Sequence, residues 1–120
     1  LGHIPHNKLP DIYKKADIFI FASSCENMPN SLIEAMRSGL PILSSNRGPM
    51  PEVLRDGGLY FDPENYISIA QTIEKLLFNR NLLFSLTNRS KELSKNYSWD
   101  RCANETLEYI KEIGKIYKNK

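Results

Sequence analysis

The sequence has few of the features that mark several large classes of protein. It contains only two cysteines, Cys25 and Cys102, whose wide separation favours reduced thiols over a disulfide framework. Its apolar runs, of which residues 18–22 are typical, fall far short of the roughly 20 residues needed to cross a bilayer. A net charge of +2, from 16 basic and 14 acidic side chains, gives no basic field dense enough for nucleic acid.

The remaining composition is that of one ordinary globular domain. With 120 residues, 41% of them hydrophobic and 25% charged, the chain is able to bury a core but is too short for several domains. It carries no recognisable targeting signal, which together with the reduced cysteines favours a cytoplasmic location. The sequence begins at Leu1 without an initiator methionine, so we expect a fragment of a longer protein.

Two kinds of apolar pattern alternate along the chain. Residues 17–22 contain a short continuous run rich in β-branched and aromatic side chains, which is typical of a strand buried on both faces of a parallel sheet. Residues 29–38 repeat apolar side chains at helical spacing and meet a stop signal at Gly39. Such patterns predict strands over residues 17–22, 40–44 and 59–61, and helices over residues 8–15, 29–38, 64–78, 81–95 and 99–117.

Local signals define the ends of some of these elements. Asn7 is the predicted cap of the first helix, and Ser98 is the predicted cap of the last. Proline and glycine in residues 46–51 predict a loop, followed by a brief helical turn over residues 52–55.

The order of the elements predicts an α/β fold. Strands that alternate with helices build a Rossmann-like parallel sheet with helices on its faces. Three strands are fewer than such a sheet needs, so we expect the missing strands to precede Leu1. The Rossmann-like part occupies residues 1–98, and residues 99–120 form a C-terminal helix.

Amide and acidic groups cluster around the start of the second helix. In open α/β sheets, ligands bind beyond the carboxyl ends of the strands, where loops lead into helices. The amides near Asn30, Ser31 and Leu32 suit a phosphate, because they lack intrahelical partners and carry a partial positive charge. Glu26 precedes this helix, and Glu34 lies on its second turn, roughly 7 Å above the start.

The two carboxylates indicate what could flank such a phosphate. An ionised glutamate accepts hydrogen bonds from the adjacent hydroxyls of a pyranose or a ribose. A sugar, a diphosphate and a ribose in series form a nucleotide-activated sugar, with Glu26 on the sugar and Glu34 on the ribose. Spacing alone leaves two ordinary alternatives open, in which Glu26 is a solvated loop residue and Glu34 is a common helix residue.

The same segment carries a resemblance to a known family. Glu26 and Glu34, separated by seven residues and followed by Ser38-Gly-Leu-Pro-Ile42, resemble the E-x7-E region of retaining GT-B glycosyltransferases of family 4. The likeness extends along nearly the whole chain. It is carried by Gly2, Leu9, Tyr13, Ala16, Asp17 and Phe19 before the motif, and by Pro51, Glu52, Val53, Gly58, Asp62, Pro63, Tyr97, Ser98 and Trp99 after it.

The resemblance implies a place in a larger fold. Members of the family have two Rossmann-like domains that face a cleft, and the C-terminal domain holds most of the nucleotide sugar. This sequence corresponds to the later part of that donor-binding domain, without its N-terminal strands. Glu26 is then the catalytic residue, which binds hydroxyls of the donor sugar, and Asn27 and Met28 offer backbone amides to the same sugar.

The same resemblance also assigns residues to the other parts of the donor. It implies that Asn30, Ser31 and Leu32 contact the diphosphate and that Glu34 holds the ribose. The resemblance also implies that no metal ion is needed, because basic side chains and helix dipoles balance the charge of the leaving diphosphate. No cofactor is expected, because the nucleotide-diphosphate sugar is itself the substrate. The acceptor, a glycan or a lipid-linked molecule, is expected to bind through the missing N-terminal domain.

Two departures limit what the resemblance implies. The basic residues with which the family grips the diphosphate lie upstream of Leu1, so the chain alone is expected to be inactive. Pro49 occupies a position where a second glycine is usual, which removes support for a backbone contact to ligand there. Arg47 is interpreted as an exposed loop residue, with a contact to phosphate or acceptor as the alternative.

Other functions remain as alternatives. A sugar-nucleotide epimerase of the GT-B type would need the same donor site, and a non-catalytic nucleotide-binding module would keep it without turnover. Glu26 and Glu34 could also be the paired carboxylates of a glycosidase, but their position around a helix start favours a phosphate ligand.

Several conspicuous side chains have simpler interpretations. His3 and His6 are interpreted as structural residues, and Cys25 as a small buried hydrophobe. The lysines near the C-terminus suit a solvated helix end, with a peripheral contact to anionic lipid at the inner face of the membrane as the alternative. These lysines are Lys111, Lys115, Lys118 and Lys120.

Overall fold

Three parallel strands form the centre of the structure, a computed structural model that describes residues 2–118. The strands are β1 (Phe19–Phe21), β2 (Ile42–Ser45) and β3 (Leu59–Phe61), paired in the order β1-β2-β3. Both pairings are parallel, and Ile20 lies beside Leu43. Because β2 is central, it is buried along its whole length. The predicted parallel sheet is confirmed.

Helices connect the strands and continue to the end of the described chain. A 3-10 helix (His6–Lys8) leads directly into the first α-helix. The α-helices are α1 (Leu9–Tyr13), α2 (Asn30–Ser38), α3 (Met50–Leu54), α4 (Tyr66–Leu77), α5 (Arg80–Ser94) and α6 (Trp99–Lys118). Every predicted helix is present.

Two local predictions were wrong. Asn7 does not cap the first α-helix, because it lies inside the 3-10 helix, and Lys8 precedes α1 without a side-chain cap. The helical turn after β2 begins at Met50 rather than at residue 52. Pro51 is tolerated in its first turn because the missing N–H has no intrahelical partner there.

The sheet separates two apolar clusters. Because successive side chains of a strand point to opposite faces, Ile42 packs on one side of β2 and Leu43 on the other. Helices α2 and α3 supply side chains to the first face, α4 to the second, and α5 to both. The first cluster comprises Leu32, Ala35, Met36, Ile42, Met50, Val53, Leu54 and Leu93, and the second comprises Leu43, Phe61, Leu76 and Leu86.

Helix α6 extends away from these two layers. The side chains of residues 99–117 are exposed except for Ile113, which is half-buried. Twenty helical residues are about 30 Å long, which accounts for molecular dimensions of 61 × 30 × 30 Å. Ser98 Oγ accepts the backbone N–H of Arg101 at 3.1 Å, so its predicted role as a cap is confirmed. Lys120 and the side chain of Lys118 lie outside the described residues.

None of the helices within residues 2–118 combines the length and the apolar character that crossing a lipid bilayer requires. The surface of α6, for example, carries charged side chains such as Asp100, Arg101 and Lys111 between its apolar ones.

A tight turn after α3 depends on backbone conformations that favour glycine. Gly57 donates its N–H to the Leu54 carbonyl at 2.8 Å, which closes a four-residue turn. Arg55, at the first central position, has φ 49° and ψ −120°, as in a type II′ turn that prefers glycine there. A Cβ on Gly58 would lie 2.6 Å from Leu54 Cδ2 and 2.7 Å from the Ile42 carbonyl oxygen. The turn therefore brings α3 close to β2.

Replacing Arg55 by glycine should raise the free energy of unfolding by about 1 kcal/mol, because relief of backbone strain exceeds the added chain entropy. The matched control is Gln71→Gly at an exposed site inside α4, which should lower the free energy of unfolding by about 1 kcal/mol. Urea titration measures both values. A loss of stability in Arg55→Gly as large as that in the control would contradict the assignment of strain.

Replacing Gly58 by alanine should lower the free energy of unfolding by about 2 kcal/mol or more, because the new methyl group has no room. Gly114→Ala on α6 is the control, since a Cβ there meets no atom within 4 Å. That change should raise stability by about 0.5–1 kcal/mol through helix propensity. The close packing would be disproved if urea titration showed no loss of stability for Gly58→Ala.

Candidate functional site

Three loops meet at the carboxyl edge of the sheet. Because the strands are parallel, residues 22–29, 46–49 and 62–65 all leave the same edge. The first loop holds Glu26, which is half-buried, and Met28, whose exposed fraction is 46%. This is the edge at which open α/β sheets bind their ligands.

The second loop lies close to the first. Gly48 has a positive φ of 51°, and a Cβ placed on it would be 3.9 Å from the backbone oxygen of Glu26. Arg47 is tied to the third loop by an ion pair between its Nη2 and Asp62 Oδ1 at 3.2 Å. The backbone N–H of Glu64 and then Arg47 lower the pKa of the Asp62 carboxyl below its usual value. The exposed ion pair joins the second and third loops.

The start of α2 is shaped by a proline turn. Pro29 has φ −80° and ψ 75°, and Asn30 donates its N–H to the Met28 carbonyl at 2.9 Å, as in an inverse γ-turn. Leu32 donates its N–H back to the Pro29 carbonyl at 3.0 Å. Within residues 2–118, the Ser31 N–H donates to no backbone carbonyl, and no side chain caps this helix. Of the three amides that the sequence suggested, only that of Ser31 is left open.

The other long helices of the sheet layers begin differently. Asn65 caps α4 by accepting the N–H groups of Ile67 and Ser68, and Asn79 caps α5 by accepting that of Leu82. At α2, Ser31 is an exposed residue whose N–H has no backbone acceptor within residues 2–118, whereas Leu32 is fully buried in the core. The helix start can therefore donate hydrogen bonds to an anion.

Glu34 is held by two side chains from the N-terminal segment. Tyr13 donates its hydroxyl to Glu34 Oε2 at 3.0 Å, and His6 Nε2 lies 3.2 Å from Glu34 Oε1. The Glu34 side chain remains 33% exposed, so the carboxylate is oriented without being removed from solvent. It can accept further hydrogen bonds from a ligand.

Burial and the contact with Glu34 together raise the pKa of the Tyr13 hydroxyl. Burial, followed by the hydrogen bond to Glu34 and the charge of Glu34, raises the pKa of the Tyr13 hydroxyl from 10.0 to about 12. Its ring packs edge-on against Phe19 with a centroid distance of 5.9 Å. Tyr13 is therefore a neutral donor at physiological pH, fixed against the first strand.

A groove of about 860 Å³ runs along the outer face of α2. Met28, Asn30 and Glu34 line it, so three of the predicted donor-binding residues share one surface. Its opposite wall is the beginning of α6, including Trp99. The other predicted site residues do not line this groove, and they are Glu26, Asn27, Ser31 and Leu32.

One interpretation of a single residue was wrong. Cys25 is exposed in the first loop rather than buried, and Ser23 Oγ donates to its carbonyl at 3.2 Å. His6, interpreted as a structural residue, is exposed and contacts Glu34, a predicted site carboxylate. Sequence reasoning also missed Tyr13 as part of the site, because it lies 21 residues from Glu34 and the contact exists only in the folded chain.

Side chains that could bind a metal ion are not clustered among the described residues. Among residues 2–118, no group of three or more histidine, cysteine, aspartate or glutamate side chains is arranged to hold a metal ion. The arrangement offers instead an amide and a hydroxyl for an anion and a carboxylate for hydroxyl groups.

Comparison with known proteins identifies the family. The family model described as "Glycosyl transferases group 1" matches residues 1–96. The chain belongs to the glycosyl transferases group 1 family. It is similar to O-antigen chain mannosyltransferase B of Escherichia coli, with 32% identity over 111 residues that cover 92% of this chain and 29% of that protein. The predicted relation to GT-B glycosyltransferases is confirmed.

Two solved structures share the fold. The sucrose-phosphate synthase of Thermosynechococcus elongatus superimposes with a TM-score of 0.86 at 22% identity, covering 97% of this chain and 30% of that chain. Anabaena Alr3699/HepE, solved in complex with UDP, superimposes with a TM-score of 0.78 at 16% identity, covering 87% and 30%. The chain thus spans less than a third of the length of each of these three proteins.

The raised pKa of Tyr13 predicts a dependence of stability on alkaline pH. Because the folded-state pKa of about 12 exceeds the unfolded value of 10.0, the neutral phenol stabilises the fold fully below pH 10. That contribution is lost as pH rises from 10 through 12. Urea titrations across this range should show a shallower decline for Tyr13→Phe than for the unmodified protein.

Tyr66→Phe is the control for this measurement, because the Tyr66 side chain is 80% exposed. It should follow the unmodified protein across the whole range. Equal slopes for Tyr13→Phe and Tyr66→Phe would show that the contact between Tyr13 and Glu34 does not perturb the phenol.

Proposed function

We propose that this chain is the donor-binding part of a retaining glycosyltransferase of family 4, which transfers a sugar from a nucleotide diphosphate to a glycan or lipid-linked acceptor. The observation that carries the proposal is the arrangement on α2 of an open amide at Ser31 and an anchored carboxylate at Glu34. They are three residues apart in the helix, which corresponds to roughly 4.5 Å along the axis. This spacing suits a diphosphate followed by a ribose.

The diphosphate would bind at the start of α2. The N–H and hydroxyl of Ser31 are its donors, and the exposed side chain of Asn30 adds an amide. Leu32 takes part indirectly, because its N–H closes the turn on Pro29 that leaves Ser31 free. The partial positive charge of a nine-residue helix favours an anion at this end.

The sugar would lie over the first loop. Glu26 would accept hydrogen bonds from its hydroxyls, and the backbone amides of Asn27 and Met28 would contact the same ring. The exposure of Asn27 and Met28 supports this placement, because a bound sugar needs an accessible surface. The absence of a side chain on Gly48, near the backbone of Glu26, leaves space beside the loop.

Catalysis would follow from charge that develops as the sugar leaves the diphosphate. The ring gains oxocarbenium character and the leaving group gains negative charge, so the Ser31 amide and the helix dipole bind the transition state more strongly than the substrate. Glu26 orients the ring. In this proposal the reaction uses neither a metal ion nor a cofactor besides the donor, and the acceptor binds to a domain outside this chain.

The separate roles proposed for Glu26 and Glu34 can be tested by measuring ligand affinities. Calorimetric titration of the intact protein with UDP, GDP and ADP, and with UDP-glucose, GDP-mannose and ADP-glucose, identifies the preferred ligand pair. Glu34→Gln should weaken the diphosphate and its sugar alike, by about tenfold or more, because it removes a charged acceptor from the ribose. Glu26→Gln should weaken only the sugar-bearing ligand by a similar factor.

The control variant is Glu74→Gln on the exposed face of α4, which should change neither affinity. If Glu26→Gln weakened the bare diphosphate as much as the nucleotide sugar, the division of roles would be refuted. The alternative functions predict other outcomes. An epimerase would change the sugar of the donor without an acceptor. A non-catalytic module would bind the ligand without turnover.

A further inference from the structure

We propose that Tyr13 and His6 are positioning residues that orient the Glu34 carboxylate to accept hydrogen bonds from two adjacent hydroxyl groups. The inference rests on the proposed function, in which Glu34 binds the ribose of a nucleoside diphosphate. Its direct basis is that each carboxylate oxygen already has a different partner, with Tyr13 Oη at 3.0 Å from Oε2 and His6 Nε2 at 3.2 Å from Oε1.

The number of acceptor positions on the carboxylate decides what more it can bind. An ionised carboxylate has about four lone-pair positions, two on each oxygen. Tyr13 and His6 occupy one position on each oxygen, which leaves one on each. Two hydroxyls on neighbouring carbon atoms present two donors side by side, so a vicinal diol matches the remaining pair. A ligand with a single hydroxyl would leave one position to water.

The two partners come from segments that differ in rigidity. Tyr13 ends α1 and is packed against Phe19 of β1, so its hydroxyl is fixed relative to the sheet. His6 lies in the 3-10 helix with a side chain that is 85% exposed, so it is held less firmly. We therefore expect Tyr13 to be the main determinant of the carboxylate orientation and His6 to contribute less.

The charged groups around Glu34 leave its carboxylate available as a hydrogen-bond acceptor. Glu34 borders both the groove described above and a smaller one of about 400 Å³. Arg37 on the same helix lines both grooves, and Lys14, which follows α1, lines the smaller one. From α6, Arg101 and Glu105 line the larger groove and pair with each other at 2.6 Å. The carboxylate is thus free to serve as an acceptor, since the nearby acid is matched by its own arginine.

A comparison of ribose with deoxyribose ligands tests the inference. The intact protein is titrated calorimetrically with UDP, GDP and ADP and with the 2′-deoxy and 3′-deoxy form of whichever binds best. The unmodified protein should prefer the ribose form by about tenfold or more, since each deoxy form lacks one donor. Tyr13→Phe should reduce this preference at least threefold while changing the affinity of the deoxy forms less than twofold.

The ratio of the affinity for the ribose ligand to that for the deoxyribose ligand distinguishes a positioning role from a general structural role. A phenylalanine that merely loosened the site would weaken the ribose and deoxyribose ligands equally and leave the ratio unchanged, which would overturn the inference for Tyr13. Tyr60→Phe is the matched control, because it removes a tyrosine hydroxyl that donates to the Arg55 carbonyl rather than to Glu34. It should leave the ratio as it is.

His6→Ala provides a second variant whose folding is not in question, because the side chain is largely exposed. It should lower the ratio about twofold, and no change would overturn the role of His6. If the unmodified protein bound none of the three nucleoside diphosphates, the proposed function would fail and this inference with it. Binding that Glu34→Gln weakens, with ratios unaffected by Tyr13→Phe and His6→Ala, would overturn the inference alone.

Discussion

Burial of one face of α2 against the sheet is the constraint on which the candidate site depends. Leu32, Ala35 and Met36 are fully buried beside Ile42, so the helix cannot rotate or slide without exposing core side chains. Residues on its opposite face are consequently fixed in solvent-accessible space. The same packing that stabilises the fold thereby determines where the Ser31 amide and the Glu34 carboxylate are offered to a ligand.

The N-terminal segment and the loops complete this arrangement by different means. Tyr13 and His6 act on Glu34 through hydrogen bonds from segments 21 and 28 residues away in sequence. Of the loops at the carboxyl edge, the second and third are joined by the ion pair of Arg47 with Asp62. Helix α2 thus carries the groups proposed for the diphosphate and the ribose, while the first loop carries Glu26, proposed for the sugar.

Much of the fold could be predicted because its signals are local. The apolar run before Phe21 and the stop at Gly39, which adopts a positive φ of 72°, mark β1 and α2 directly. The start of α3 was misplaced because Pro49 and Pro51 read as loop residues, yet Pro51 stands where a helix needs no N–H. Asn7 failed as a cap because the chain winds into a 3-10 helix instead.

The sequence by itself determined the alternation of strands and helices and the pair of glutamates around the start of α2, because these depend on periodicity and spacing. Only the tertiary structure decided that the Pro29 turn uses the amides of Asn30 and Leu32 and leaves that of Ser31 open. It also decided that Tyr13 and His6 meet Glu34. The contacts of Tyr13 and His6 join segments distant in sequence, and the packing of α1 against β1 and α2 brings them within hydrogen-bond distance.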